Sequence, residues 1–307
     1  MPSGPASEAQ HRAFAAFHKA IMERVDAFIG VRGAENVFEQ GDLSPEQKKN
    51  KQRYFVEEVH IRTRLKTRWV VLRWPNAAMA QLSRTSVAAF EDFYFQVCNL
   101  DYGAMSRAMD PLVERMRRTD RVRLVGPGDT DLSFSIRGLP VIKCDGVLNL
   151  PDGEVFTAPV RDSVNGLIAF NTSSVHNGVA FRDVRFRVEA GRIVEASAPE
   201  NQRELAEILE TDEGARYFGE FAIGVNPFVL EPMNDTLFDE KIKGSIHLTP
   251  GNAYDECSNG NRSCVHWDLV LIQRAEHGGG EMYFDEELVR KDGRFVVPEL
   301  APLDALG

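Results

Sequence analysis

The stretch VRFRVEAG, residues 184–191, decides the fold of the second half of the chain. Val184, Phe186 and Val188 alternate with arginines, so an extended strand would place apolar side chains on one face and charged ones on the other. Glu189-Ala190-Gly191 then reads as a turn, because glycine tolerates backbone conformations that other residues resist. Strands with one buried face, separated by turns, predict that this half of the chain is β-rich.

The same period of two returns elsewhere in this half of the chain. Leu132, Phe134 and Ile136 alternate with polar residues and predict another half-buried strand. Turn signals and one amphipathic helix are predicted to separate such strands, at Gly126-Pro127-Gly128-Asp129, at Lys291-Asp292-Gly293 and at residues 202–209. The first of these turns lacks the Lys-Ser/Thr ending of a phosphate-binding loop. We therefore predict a β-rich domain over residues 119–307.

Residues 1–118 have a different pattern, which predicts an α/β region. Apolar residues recur at helical spacing from Phe14 to Phe28, and Ser44-Pro45-Glu46-Gln47 has the N-cap, first-turn proline and glutamine of a helix start. Further elements are predicted as a strand at residues 69–72 and helices at residues 88–98 and 105–116. The fold class is thus α/β (α+β), with a domain boundary near Arg118.

Composition and charge exclude several classes of function. A chain of 307 residues with 43% hydrophobic residues can bury a full core. Its net charge of -10 would repel phosphate backbones, so we expect no nucleic acid partner. No apolar run approaches the roughly 20 residues of a membrane span, and the N-terminus lacks a secretory signal pattern. We therefore expect no membrane association and a cytoplasmic location.

Two histidines lie in sequence contexts that suit a metal site. His247 lies in GSIHLTPG, and His266 lies in CVHWD, two residues before Asp268. If that segment is extended, His266 and Asp268 point to the same face. Imidazole nitrogen and carboxylate oxygen together suit zinc, manganese, cobalt or iron(II).

Three glutamates stand among apolar residues or glycines, where a solvated carboxylate would be out of place. They are Glu154 before VFTAP, Glu220 within GEFAIG and Glu240 after LFD. A buried carboxylate stays ionised only when it is paired, hydrogen-bonded or bound to a cation. With the histidines and Asp268 they make more ligands than one tetrahedral zinc takes, which favours two ions that share a carboxylate.

Four strings of the sequence resemble the aminopeptidase T family, which includes aminopeptidase S and PepS. They are NLPDGEVFTAPVRDSVNG, TDEGARYFGEFAIGVNP, LFDEKIKGSIHLTPGNAY and CVHWD, and the resemblance covers about residues 69–300. It implies a hydrolase that removes N-terminal residues from peptides through a water bridging two divalent ions, either zinc, cobalt, manganese or magnesium. It also implies a homodimer whose active sites face an internal cavity.

The resemblance assigns roles residue by residue. The implied metal ligands are Glu154, Glu220, Glu240, His247, His266 and Asp268, with Glu220 or Asp268 bridging the ions. The implied catalytic residues are Tyr254, which would hydrogen-bond the developing oxyanion, and Glu154. The family's Rossmann-like first region is longer than the one here. We therefore expect a shortened N-terminal domain with an exposed apolar sheet edge.

Two other functions fit part of the same residues. His247, His266 and Asp268 alone would form the two-histidine, one-carboxylate set of a mononuclear iron ring-cleaving dioxygenase. Such a site would not need Glu154 and Glu220, which favours the peptidase. A non-catalytic family member is the third hypothesis, since a shortened first domain could lose a dimer contact or a cavity wall.

Overall fold

The computed structural model describes residues 6–36 and 38–307, which form helices and strands of mixed arrangement. The α-helices are α1 (Glu8–Met22), α2 (Pro45–Lys51), α3 (Ala77–Leu82), α4 (Val87–Cys98), α5 (Tyr102–Arg118), α6 (Gln202–Leu209), α7 (Thr236–Asp239) and α8 (Ala301–Asp304). The strands up to the middle of the chain are β1 (Ala27–Arg32), β2 (Arg68–Arg73), β3 (Arg121–Gly126), β4 (Thr130–Ser135), β5 (Ile142–Cys144), β6 (Asn149–Leu150), β7 (Glu154–Thr157), β8 (Asn165–Ala169) and β9 (Ser174–His176). The remaining strands are β10 (Val179–Phe181), β11 (Arg185–Glu189), β12 (Arg192–Ser197), β13 (Phe218–Gly224), β14 (Ser245–Pro250), β15 (Leu269–Ile272), β16 (Glu281–Phe284), β17 (Glu287–Lys291) and β18 (Arg294–Phe295).

The N-terminal part forms a three-stranded parallel sheet in the order β1-β2-β6. A parallel pair needs a crossover, which α2 and a π-helix at Gln52–Ile61 supply between β1 and β2. The α/β class predicted for this region is confirmed. Strand β1 lies at one edge of this sheet and exposes Ile29 (71%) and Val31 (56%).

The predicted helix over residues 14–28 is wrong in its last part. Helix α1 ends at Met22, and Phe28 lies in β1, which pairs along its whole length with β2. The helical spacing of these apolar residues does not mark a buried helix face, because Phe17, Ile21 and Val25 are exposed in the structure. Parallel strand pairing, which a local pattern does not reveal, determines the conformation of this segment.

The other elements predicted for the first region are confirmed. Ser44 caps α2, and its side chain and that of Gln47 form the reciprocal hydrogen bonds of a capping box. The predicted strand and the two predicted helices correspond to β2, α4 and α5. The buried face of α5 packs into the same core as the sheets of the second half. The division near Arg118, where α5 ends, stays a prediction.

The second half is β-rich, as predicted, and the structure shows that its strands pair mainly in antiparallel fashion. An eight-stranded sheet has the order β12-β11-β8-β4-β3-β16-β17-β18, and the predicted turns at residues 126–129, 189–191 and 291–293 connect its strands. Helix α6 has the predicted bounds. Within residues 6–36 and 38–307, no helix is both long enough and apolar enough to cross a membrane.

A five-stranded sheet in the order β15-β14-β13-β7-β5 packs against this core. Its central strands β13 and β14 are buried along their whole length, although both contain polar residues. Both faces of these strands are covered. A polar side chain on them therefore faces the protein interior.

Candidate metal centre

Three neighbouring strands of the five-stranded sheet carry Glu154, Glu220 and His247. Glu154 begins β7, Glu220 lies in β13 and His247 lies in β14. Strand β13 pairs with β7 on one side and with β14 on the other, so the three side chains come from adjacent strands. All three residues are buried, at exposures of 5%, 3% and 1%. Ionised groups at this depth require charge partners.

The imidazole of His247 lies between the two carboxylates. Its Nε2 is 3.4 Å from Oε1 of Glu220, and its Nδ1 is 3.7 Å from Oε2 of Glu154. Among the described residues, His247 Nδ1 and Glu154 Oε2 are buried and have no hydrogen-bond partner. Buried polar atoms are normally satisfied, so these two orphaned atoms fit a cation bound close to them.

His266 and Asp268 complete the cluster from the segment before β15. His266 Nε2 is 3.3 Å from Oδ1 of Asp268 and 3.5 Å from Oε2 of Glu220. Its Nδ1 lies 2.9 Å from the carbonyl oxygen of Asn252, which fixes Nδ1 as a donor and makes Nε2 the nitrogen that faces the carboxylates and would bind a cation. A metal-binding histidine is commonly oriented by such a hydrogen bond. The two side chains point the same way, as the extended spacing predicted.

Lys241 pairs with carboxylates beside this cluster and was not predicted to take part in it. Its Nζ lies 2.6 Å from Glu154 Oε1, 2.6 Å from Glu240 Oε1 and 3.5 Å from Asp152 Oδ1. Glu240 follows the last residue of α7 and is partly buried. Burial alone would lower the pKa of Lys241, but the charges of Glu154 and Glu240 hold it well above the usual value. The lysine is therefore charged and neutralises two of the six predicted ligands.

Two opposing effects set the pKa values of the buried acids: burial raises them, and neighbouring positive charges lower them. Burial raises the pKa of Glu154, and it raises the pKa of Glu240 to about 8. Burial would also raise the pKa of Asp268, but the charge of His266 and a hydrogen bond from it hold that pKa far below its usual range. Asp268 is therefore the acid whose neighbours hold it ionised, whereas burial favours the neutral form of the two glutamates until a cation binds beside them.

Tyr254 lies at the edge of the cluster. The residue is 43% exposed, and its ring centroid is 4.8 Å from that of His266 and 5.8 Å from that of Phe156. The tyrosine therefore lies between His266 and solvent. Trp267, between the two ligands in sequence, is buried against Phe181 and lies behind the cluster.

Two groups of side chains bring metal-ligand atoms within 4.8 Å of one another. The first is Glu220, His266 and Asp268, and the second is Cys144, Asp152 and Glu154. Cys144 and Asp152 were missed by the sequence reasoning. Asp152 stands two residues before Glu154 in LPDGE, and that spacing could have indicated it. The six predicted ligands thus lie in one region of the fold; that they bind metal stays a prediction.

A hydrogen bond from Thr249 orients Asp268. Thr249 Oγ1 donates to Asp268 Oδ1 at 2.7 Å from the neighbouring strand β14. We expect Thr249→Val, which keeps the shape and removes the donor, to weaken divalent metal affinity about 10-fold, because outer hydrogen bonds orient ligand carboxylates. Isothermal titration calorimetry with zinc would measure this affinity. Thr211→Val, an exposed position outside the cluster, serves as control. Equal affinities in both variants would contradict this role.

Fold and site together define a mixed α/β protein with a buried carboxylate and imidazole centre of the kind that binds divalent metal ions. Residues 6–295 match the family described as thermophilic metalloprotease (M29), and the chain belongs to this family. The family resemblance noted in the sequence is confirmed.

Three relatives show how far the sequence similarity extends. Aminopeptidase AmpS of Bacillus subtilis is 34% identical over 126 residues, covering 40% of this chain and 30% of its own. Aminopeptidase T of Thermus thermophilus is 35% identical over 139 residues, covering 40% and 34%. Aminopeptidase 2 of Geobacillus stearothermophilus is 31% identical over 164 residues, covering 48% and 37%. The matches thus span about a third of these relatives.

Two solved structures share the fold. Wild-type AmpT from Thermus thermophilus superposes with a TM-score of 0.75 at 24% identity, covering 93% of this chain and 80% of that one. The 2,5-dihydroxypyridine dioxygenase from Pseudomonas putida KT2440 gives a TM-score of 0.57 at 14% identity, covering 97% and 100%. The predicted mixed fold class is confirmed by the first of these.

Proposed function

We propose that this protein is a metal-dependent aminopeptidase that hydrolyses N-terminal residues from peptides through a water bridging two divalent ions. The observation that carries the proposal is the convergence of Glu154, Glu220, His247, His266 and Asp268, with orphaned ligand atoms on Glu154 and His247. Membership of a metalloprotease family and similarity to proteins named aminopeptidases support it.

The residues fit two ions that share a carboxylate. Glu220 lies 3.4 Å from His247 through one oxygen and 3.5 Å from His266 through the other, so it is the carboxylate we assign to the bridge. The ions, when bound, would polarise the scissile carbonyl and acidify water. Zinc, cobalt, manganese and magnesium are the candidate ions. The proposed ligands are Glu154, Glu220, Glu240, His247, His266 and Asp268.

Glu154 and Tyr254 supply the proposed proton chemistry. Glu154 Oε1 is paired with Lys241, so Oε2 is the one oxygen of this carboxylate that is available either to bind an ion or to accept a proton from water. Burial raises the pKa of this carboxyl, which suits a base working near neutral pH. Tyr254, beside His266, is placed to donate a hydrogen bond to the developing oxyanion. Peptides with a free N-terminus are the proposed substrates, and a cytoplasmic homodimer is the proposed form.

Chelation and metal return test this function. We expect the protein to release p-nitroaniline from leucine p-nitroanilide, to lose this activity on treatment with EDTA, and to regain it with cobalt or zinc. The reason is that a bound divalent ion would supply the Lewis acid that lowers the pKa of the attacking water. Metal analysis of the active protein should give two ions per chain. A well-folded, metal-loaded protein without turnover would favour the non-catalytic hypothesis.

A second function is favoured by one specific contact. Lys241 pairs with Glu154 and Glu240, which leaves His247, His266, Asp268 and Glu220 for a single ion. Two histidines and a carboxylate are the ligand set of mononuclear iron(II) oxygenases. One iron per chain, with oxygen uptake on a dihydroxypyridine and no peptidase activity, would replace the aminopeptidase by a ring-cleaving dioxygenase.

A further inference from the structure

A small cavity lies directly against the proposed metal centre. Its walls include Asp268 and Glu240, two of the proposed metal ligands, together with Val175 of β9 and Val270 of β15. The space that the centre of a water molecule can reach is about 10 Å³, which is room for one water molecule. A group held in this cavity would therefore lie beside the acids proposed to bind the ions.

Hydrogen bonds fix the wall of the cavity that residues 172–175 form. Each of the first three side chains bonds to a different part of the fold: Thr172 Oγ1 donates to the carbonyl oxygen of Val270 at 3.0 Å, Ser173 Oγ donates to Asn234 Oδ1 at 2.5 Å, and Ser174 Oγ accepts from Trp267 Nε1 at 2.9 Å. Asn234 also lines the cavity. The wall cannot move outward without breaking these bonds, so the fold sets the size of the cavity.

The hairpin of β9 and β10, which carries part of this wall, is held at its tip and on its face. At the tip, the carbonyl oxygen of Asn177 accepts a hydrogen bond from Lys48 Nζ of α2 at 2.8 Å. On the face, the ring centroids of His176 and Phe181 lie 5.0 and 4.8 Å from that of Trp267. Because Trp267 stands between two proposed ligands in the sequence, the hairpin is fixed relative to the metal centre.

We propose that this cavity binds the side chain of the substrate's N-terminal residue and selects alanine over larger residues. The inference rests on the proposed aminopeptidase function, in which the α-amine and the scissile carbonyl of that residue lie at the metal centre. The side chain branches from the carbon between these two groups, so it lies next to the centre, where the cavity begins. One methyl group can take the place of the water molecule, whereas the three further carbons of leucine exceed the space. Leucine substrates therefore react with the side chain outside the cavity, at a lower kcat/KM.

Kinetics on a matched substrate pair test the size limit. The wild-type protein should hydrolyse alanine p-nitroanilide with a kcat/KM about 10- to 100-fold above that for leucine p-nitroanilide, because the larger side chain does not enter the cavity. Val175→Ala removes two methyl groups from the wall and should lower this ratio about 5-fold or more, through a rise in kcat/KM for leucine. Val194→Ala is the matched control, since Val194 is exposed in β12 and does not line the cavity. It should keep the wild-type ratio.

Binding of free amino acids gives a second readout that needs no turnover. In the zinc-loaded protein, L-alanine should raise the melting temperature more than L-leucine at equal concentration, and the difference should shrink in Val175→Ala. An active wild type that prefers leucine p-nitroanilide, or treats both substrates equally, would overturn the size limit and leave the aminopeptidase function in place. A metal-loaded protein that hydrolyses neither substrate would reject the aminopeptidase function and this inference with it.

Discussion

Glu220→Gln is expected to lower kcat/KM for leucine p-nitroanilide by on the order of 10³-fold or more, about 4 kcal/mol of transition-state stabilisation. Glu220 is the carboxylate that reaches both His247 and His266, so its charge is placed to serve both proposed ions. Glutamine keeps the volume and removes the charge. Steady-state kinetics and metal analysis of the same preparation would measure the loss.

The fold should survive this substitution. In the metal-free protein Glu220 repels Glu154 but lies against His247 and His266, so a neutral amide of the same volume removes a repulsion and an attraction together. We expect the melting temperature in EDTA to stay near that of the wild type, while the rise on adding zinc disappears. Glu210→Gln, at an exposed position, should keep both the activity and the zinc response. A folded Glu220→Gln protein with near-normal turnover would exclude the bridging role.

The sequence predicts the antiparallel half of the fold well, because its strands have their own local signals. The alternation at Val184, Phe186 and Val188 and the turns beside it fix β11 and β12 without reference to the rest of the chain. The segment from Val25 to Phe28 shows where this fails. Its apolar spacing suits a helix, yet it belongs to a parallel pair with a strand about 40 residues further on, and such pairing leaves no local pattern.

The site was predictable as a set of residues but not as a network of charges. Acids and histidines in apolar surroundings point to ligands wherever the strands bring them. A lysine carries no such signal, since Lys241 next to Glu240 also reads as a solvated pair at the end of a helix. Only the fold shows that its Nζ reaches Glu154, 87 residues away in the chain.

Lys241→Met is expected to lower the free energy of unfolding of the metal-free protein by about 3–5 kcal/mol. The ammonium group is 1% exposed and lies within 3.5 Å of Glu154, Glu240 and Asp152, so its removal leaves three buried carboxylates without their cation. Methionine has a similar length and no charge. Urea unfolding in the presence of EDTA, followed by circular dichroism, would measure the loss.

Divalent metal should recover much of this loss. Glu154 and Glu240 are freed in the variant, so an ion that binds them replaces the ammonium charge, and binding to the folded state alone raises stability by mass action. Lys243→Met is the matched control, because its Nζ is half-buried and donates only to the carbonyl oxygen of Asp304, at 2.9 Å. That variant should lose about 1 kcal/mol and show no extra response to metal. If Lys241→Met unfolds at the wild-type urea concentration, the lysine does not neutralise the cluster, and Glu154 and Glu240 must be protonated instead.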